Sequence, residues 1–297
     1  TSTPLPPPTA TPIPPTATPG ASPTATLLPP TATPSATALP PTPTFTPTPV
    51  TPTPTPTATT VPGSAGYALD FDGLNDYVTL RRTSATLGGS GWISAKTLSV
   101  WIKPEGSFSP LTAPGTGALV AGNDRPRTFG ITRATYNGLD RIWVWNFDAN
   151  GLDSIAVEYT AGEWLQVALV HDGVTLSAYK NGVLVGSVAS GATQLPNASS
   201  DGTLYLGGSG RSDPNNYFAG EIDEARFWNI VLTPAEIQAW AYQEVTPAHP
   251  NWANLMAYYR MSNGAGTLLT DDSDYENSGA LNGGMGDLNW VLSGAFQ

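Results

Sequence analysis

The sequence contains no cysteine, so neither a disulfide framework nor a thiolate metal site is available to it. Secreted eukaryotic modules commonly carry disulfides, and their absence points towards a bacterial surface protein. Basic side chains are scarce as well: 12 Lys and Arg stand against 23 Asp and Glu, for a net charge of −11. With no basic cluster to displace phosphate counterions, nucleic acid is excluded as a partner. No apolar run reaches the ~18–20 residues that a membrane-spanning segment needs. No signal-peptide pattern opens the chain, which therefore reads as a mature form or as a fragment starting inside its first segment. There are only two histidines, His171 and His249, and no Gly-x-Ser-x-Gly elbow or phosphate-cradling loop.

Charge is missing altogether from residues 1–62, which hold 21 of the 30 prolines and 21 threonines; the first charged residue is Asp70. PPTATP recurs at 7–12, 14–19 and 29–34, and TPTPTPT fills 51–57. Proline fixes φ and pushes the residue before it into extended geometry, so the tract is predicted to be a polyproline-II-like arm. Fully extended it would reach roughly 190 Å at ~3.1 Å per residue. Its composition suits either a plain spacer or an O-glycosylated stalk, with Thr42, Thr44, Thr46, Thr48, Thr51, Thr53, Thr55 and Thr57 as acceptor candidates.

From Tyr67 onward the pattern changes to short β runs separated by Gly, Asn and Asp. LSVWIK (98–103), WLQVALVH (164–171), VTLSAYK (174–180) and VLVGSV (183–188) alternate or run apolar at strand length. Asp172-Gly173 and Asn181-Gly182 are hairpin dipeptides, predicting a three-strand meander over 164–188. One helix is predicted after Leu232, with Thr233 as cap, Pro234 at its first position and Glu236 closing a capping box. Strands at this spacing with a single helix predict an all-β sandwich over 67–297.

Four segments carry a resemblance: YALDFDGLNDYVTL (67–80), TLSVWIKP (97–104), GEWLQVALVHDGVTLSAYKNGVLVGS (162–187) and FAGEIDEARFWNIVLTPAEIQ (218–238). In this order they resemble the bacterial laminin-G-like domains, which implies a concanavalin-A-like antiparallel β-sandwich. That superfamily includes lectins, adhesion modules and glycanases, so the resemblance specifies fold more than function. NLMAYYRMSNGAGTLLTDDSDYENSGALNGG (254–284) resembles the segment that usually opens such a domain. It either begins a truncated second repeat or folds back on the same sandwich; the latter is expected, because ~40 residues bury too little alone.

Retaining β-glucanases of this fold carry Glu-x-Asp-x-Glu on one strand, optionally bulged, so that the carboxylates share a cleft. The matching stretch here is Glu221-Ile222-Asp223-Glu224-Ala225-Arg226, where Ala225 or Arg226 occupies the third position in either register. Without that carboxylate the double displacement cannot run, and no enzyme activity is expected. The parity of Phe218 and Ile222 against Ala225 and Phe227 further predicts a bulge near Asp223-Glu224.

Two binding sites are candidates. Asp72-Gly73-Leu74-Asn75-Asp76 packs oxygen ligands and a glycine turn into five residues, which suits Ca²⁺ or a simple Asx turn. The family resemblance implies a structural Ca²⁺ near this loop and the Ile-Asp-Glu segment, with Asp72, Asn75, Asp76 and Asp223 as ligands. Trp143, Trp145 and Phe147 share one strand face, either as a carbohydrate-stacking platform or as core. Trp101, Trp164 and Trp228 are assigned to packing, and Asp271, Asp272 and Asp274 to a solvated turn. Two functions follow: a non-catalytic extracellular module for adhesion or carbohydrate binding, with glycans or surface proteins as partners, or a subunit that self-assembles into filaments through its arm.

Overall fold

The computed structural model describes residues 66–83, 95–108, 112–124, 127–193 and 203–296. The Pro/Thr arm, its threonine candidates and the filament reading built on it lie outside the described residues.

The described chain forms two antiparallel sheets packed face to face. Sheet A runs β10 (Val183–Ala189), β9 (Thr175–Lys180), β8 (Leu165–His171), β3 (Lys96–Pro104), β12 (Ala219–Trp228), β1 (Tyr67–Asp72) and β16 (Trp290–Leu292), with β13 (Leu255–Tyr259) also paired to β12. Sheet B runs β14 (Leu268–Leu269), β15 (Gly279–Asn282), β2 (Tyr77–Thr83), β11 (Thr203–Leu206), β4 (Ala118–Asp124), β5 (Arg127–Tyr136), β6 (Leu139–Asp148) and β7 (Gly151–Val157). No helix among the described residues is long and apolar enough to cross a membrane.

Strand periodicity explains the core. Leu98, Val100 and Ile102 of β3, Val167 and Leu169 of β8, and Leu69 and Phe71 of β1 face inward against Phe129 and Ile131 of β5 and Ile142 and Val144 of β6. The C-terminal residues are part of this arrangement. β13 pairs with β12, β16 with β1, and β15 with β2, so residues 255–292 contribute to both sheets. The meander turns as its dipeptides require: Asn181 and Gly182 take φ of 53° and 78°, and Asp172 Oδ1 accepts from the backbone N–H of Val174 and Thr175.

Helix α1 (Pro234–Trp240) lies on the outer face of sheet A. The Thr233 hydroxyl accepts from the Glu236 N–H, and the Glu236 carboxylate accepts from the Thr233 N–H, completing the capping box. Ile237, Leu232 and Val245 bury against Val170, Trp228 and Tyr258, a second small core outside the sandwich. This layer decides which part of sheet A remains open.

Candidate functional site

The outer face of sheet A is best followed as rows across its strands. In the row nearest the helix, β12 bulges: its register with β3 shifts between Asp223 and Arg226, and Glu224 takes a φ of 51°. The bulge turns Glu224 towards Arg226, which it meets at 2.5 Å with both side chains buried. Arg226 also donates to the carbonyls of Trp240 and Gln243 at 2.7 Å each, and the Tyr258 hydroxyl donates to Glu224 at 2.6 Å. Burial pushes the Glu224 carboxyl up, against the pull of Arg226. The arginine thereby clamps the segment after α1 onto the sheet, and Glu224 is its counterion.

The next row is covered by the chain terminus. Trp101 donates its indole N–H to the Ala241 carbonyl and meets the edges of the Tyr242 and Phe296 rings. Asp223, its cross-strand partner, is buried and accepts from the Glu224 N–H at 2.7 Å and the Ser293 hydroxyl at 2.5 Å. Burial, and then the nearby Glu224, push the Asp223 carboxyl well above the usual carboxylate range.

One row stays open. Lys103 of β3 pairs with Glu221 of β12, which pairs with Asp70 of β1. On the other side, one step beyond the Ile102–Leu165 pair, stands Trp164. Indole, ammonium and two carboxylates thus follow one another from the residue leading into β8 across β3, β12 and β1. Lys103 and Glu221 are 2.6 Å apart. Around them is an open depression of about 640 Å³, lined also by Glu163, Ser293 and Gly294. Its hydrogen bond to Glu221 raises the Lys103 ammonium pKa, and Glu105 and Asp70 reinforce the effect. Burial raises the Asp70 carboxyl, and Glu105 and Glu221 add to it. Gly294 is needed where it stands: a Cβ there would lie 2.9 Å from the Trp164 indole nitrogen.

Of the calcium candidates, Asp223 stands apart from the other three. Asp72 pairs with Ala219, and Asp223 lies four residues further along β12, about 13 Å at ~3.3 Å per residue. Asp72 Oδ1 accepts from Leu74 and Asn75, the Asx turn that the loop's composition allows. Asp76 Oδ2 accepts from the Asp72 N–H and from the Asn289 amide, tying the loop to the turn before β16. Among the described residues no group of three or more His, Cys, Asp or Glu side chains gathers as a metal site. Asp72, Asn75, Asp76 and Asp223 therefore do not fit a single Ca²⁺ shell. Asp271, read from sequence as part of a solvated turn, is instead buried: it accepts from the backbone N–H of Tyr258 and Asn277 at 2.7 Å each.

The β6 aromatics lie on the outer face of sheet B, where the segment at 112–117 covers Trp145. Trp145 is only 1% exposed, with Gly115 against its ring. The Thr132 hydroxyl donates to the Pro114 carbonyl and holds that segment down. Trp143 is also buried, donates to the Ala134 carbonyl at 3.0 Å and meets Tyr136 edge-on. Only Phe147, beside exposed Leu152, is half-buried. A sugar cannot stack on Trp145 while 112–117 stays in place. Sequence reasoning put Trp164 in the packing set, yet it is Trp164 that the fold leaves half-exposed in a depression.

Comparisons with known proteins agree with this architecture. A putative carbohydrate binding protein from Bacteroides ovatus superposes with a TM-score of 0.56 at 18% identity, covering 77% of this chain and 60% of that one. A heptameric SAP-like pentraxin from Limulus polyphemus gives 0.50 at 15% identity, covering 78% and 98%. Mouse pappalysin-1 is 27% identical over 154 residues, 48% of this chain but only 9% of that much longer protein. Residues 71–238 match a laminin-G-type family model, and this chain belongs to the concanavalin A-like lectin/glucanases superfamily.

Proposed function

We propose that this chain is a non-catalytic extracellular module that binds carbohydrate. The observation that carries this reading is the fate of the acids on β12, the strand that would hold a glucanase's catalytic carboxylates. Glu221 is paired with Lys103, Asp223 is buried under Ser293, and Glu224 is locked on Arg226. Retaining hydrolysis needs two carboxyls about 5 Å apart on either side of an open cleft, and of these three acids only Glu221 lines the open depression. What remains among the described residues is a lectin-type sandwich with an open, polar and aromatic depression, the kind of surface that binds sugars without transforming them. The superposition on a putative carbohydrate binding protein supports the same reading.

Incubation of the purified protein with soluble glycans, followed for both retention and release of reducing ends, tests it. Retention of at least one glycan without measurable release is expected. Turnover that disappears on Glu221→Gln would overturn the non-catalytic assignment.

A further inference from the structure

We infer that the row Trp164–Lys103–Glu221 is the sugar-binding subsite of this module, and that it takes an uncharged glycan and rejects acidic ones. The inference rests on the carbohydrate-binding reading above and adds the place and the ligand class.

A neutral sugar ring presents an apolar C–H face and an edge of hydroxyls that both donate and accept. It is held best by a flat aromatic surface beside closely spaced donors and acceptors. The depression supplies both from adjacent strands. Trp164 stands half-exposed at one end of the row. Beside it the Lys103 ammonium has three N–H donors and gives one of them to Glu221 Oε1, which leaves donors and carboxylate lone pairs side by side. Two neighbouring hydroxyls of one sugar can bridge such a pair without either charge losing its partner. The side chains are also prepositioned: the Lys103–Glu221 pair is only 28% and 12% exposed, so little rotamer freedom remains to be lost on binding.

Charge decides the class of glycan. Glu163 and Glu221 line the depression with Lys103, and Asp70 and Glu105 lie close enough to act on the Lys103 ammonium. A uronate or sulfate group would enter against this surplus of carboxylates, a like-charge approach that disfavours binding. The other aromatic face does not compete on equal terms, because Trp145 is sealed under Pro114–Gly115.

The test is titration calorimetry on the full chain with neutral oligosaccharides (gluco-, xylo- and arabino-oligomers) and acidic ones (oligogalacturonate, oligoalginate, heparin fragments). Binding of a neutral oligomer is expected, weakened about tenfold or more by Trp164→Ala, the scale of losing a central aromatic contact. The double variant Lys103→Met/Glu221→Gln, which leaves the indole in place, is expected to lose affinity as well, and it serves if Trp164→Ala fails to fold. Undiminished binding in both variants, or loss confined to Phe147→Ala, would overturn the site while leaving carbohydrate binding intact. Preferential binding of the acidic oligomers would overturn the ligand class. Binding of none of these glycans would overturn the proposed function itself.

Discussion

Arg226 and Lys96 are both buried cations of sheet A, one beneath the helix and one between the sheets, and among the described residues only Arg226 has a carboxylate. Arg226 meets Glu224 and two backbone carbonyls. Arg133, buried elsewhere on β5, follows the same pattern with Asp140 and the carbonyls of Glu105 and Gly106. Lys96 has none of this. It is 0% exposed, donates to the Thr193 hydroxyl and lies over the Phe129 ring. Its cross-strand neighbour is His171, also buried and, among the described residues, also without a carboxylate partner. The difference follows from acid–base chemistry. A guanidinium cannot discharge, so a buried arginine must bring its counterion and acceptors with it. An ammonium can lose its proton, and burial pushes Lys96 down to about 7. The layer beneath the helix is thus held by charge and the interior around Lys96 by its near absence.

The sharpest way to break the comparison is Arg226→Met. It strands Glu224 in the interior and removes donors from the Trp240 and Gln243 carbonyls, so a loss of about 3–5 kcal/mol in denaturant unfolding is expected. Adding Glu224→Gln should recover much of that loss. A single variant as stable as the wild type would show that the clamp holds nothing.

Lys96→Met should do the reverse. Between pH 7 and its unfolded value of 10.5, Lys96 binds fewer protons folded than unfolded, so its penalty is full below pH 7 and fades as pH rises. Wild-type stability should climb by up to about 1.4 kcal/mol per pH unit from pH 7 to about 10. Above pH 10 the raised pKa values of buried Tyr258 and Tyr259 turn the trend downward, because the unfolded tyrosines ionise first. The methionine variant should lack the climb and exceed the wild type at pH 6. Superimposable profiles of the two proteins would show that Lys96 keeps its proton and an unseen partner.

His171 gives the smallest effect, on the acid side. Its Nδ1 accepts from the Gly173 N–H and its Nε2 faces the Gly191 carbonyl at 3.0 Å, the pattern of a neutral imidazole. Burial, and then Lys96, lower it to about 4, so stability should fall as pH drops from 6.5 towards 4. His171→Gln should flatten that limb. An NMR titration placing the imidazole at its ordinary value would remove the effect.

Several features were legible in the sequence because their causes are local. The meander at 164–188 follows from Asp172-Gly173 and Asn181-Gly182, whose backbones can turn as hairpins demand. The cap on α1 follows from Thr233, Pro234 and Glu236 within four residues. The bulge at Glu224 follows from a parity clash between inward-facing residues on one strand. The all-β sandwich and its family follow from such strands in order.

The site was not legible in that way. Trp164 and Trp145 both occupy outward positions next to apolar strands, and nothing near either one in sequence distinguishes them. Trp145 is sealed by residues 112–117, some thirty positions earlier, through a hydroxyl on Thr132. Trp164 stays open because Ser293 and Phe296 cover the row of Trp101 and Asp223, while Gly294 between them has no side chain to close over the indole. The separation of Asp72 from Asp223 is likewise a matter of strand register, which two acidic stretches 150 residues apart do not announce. Hydrophobic period and turn chemistry act over a few residues, and they determined strands, turns and fold. Which face of each sheet stays open depends on segments distant in the chain, and only the tertiary structure decided that.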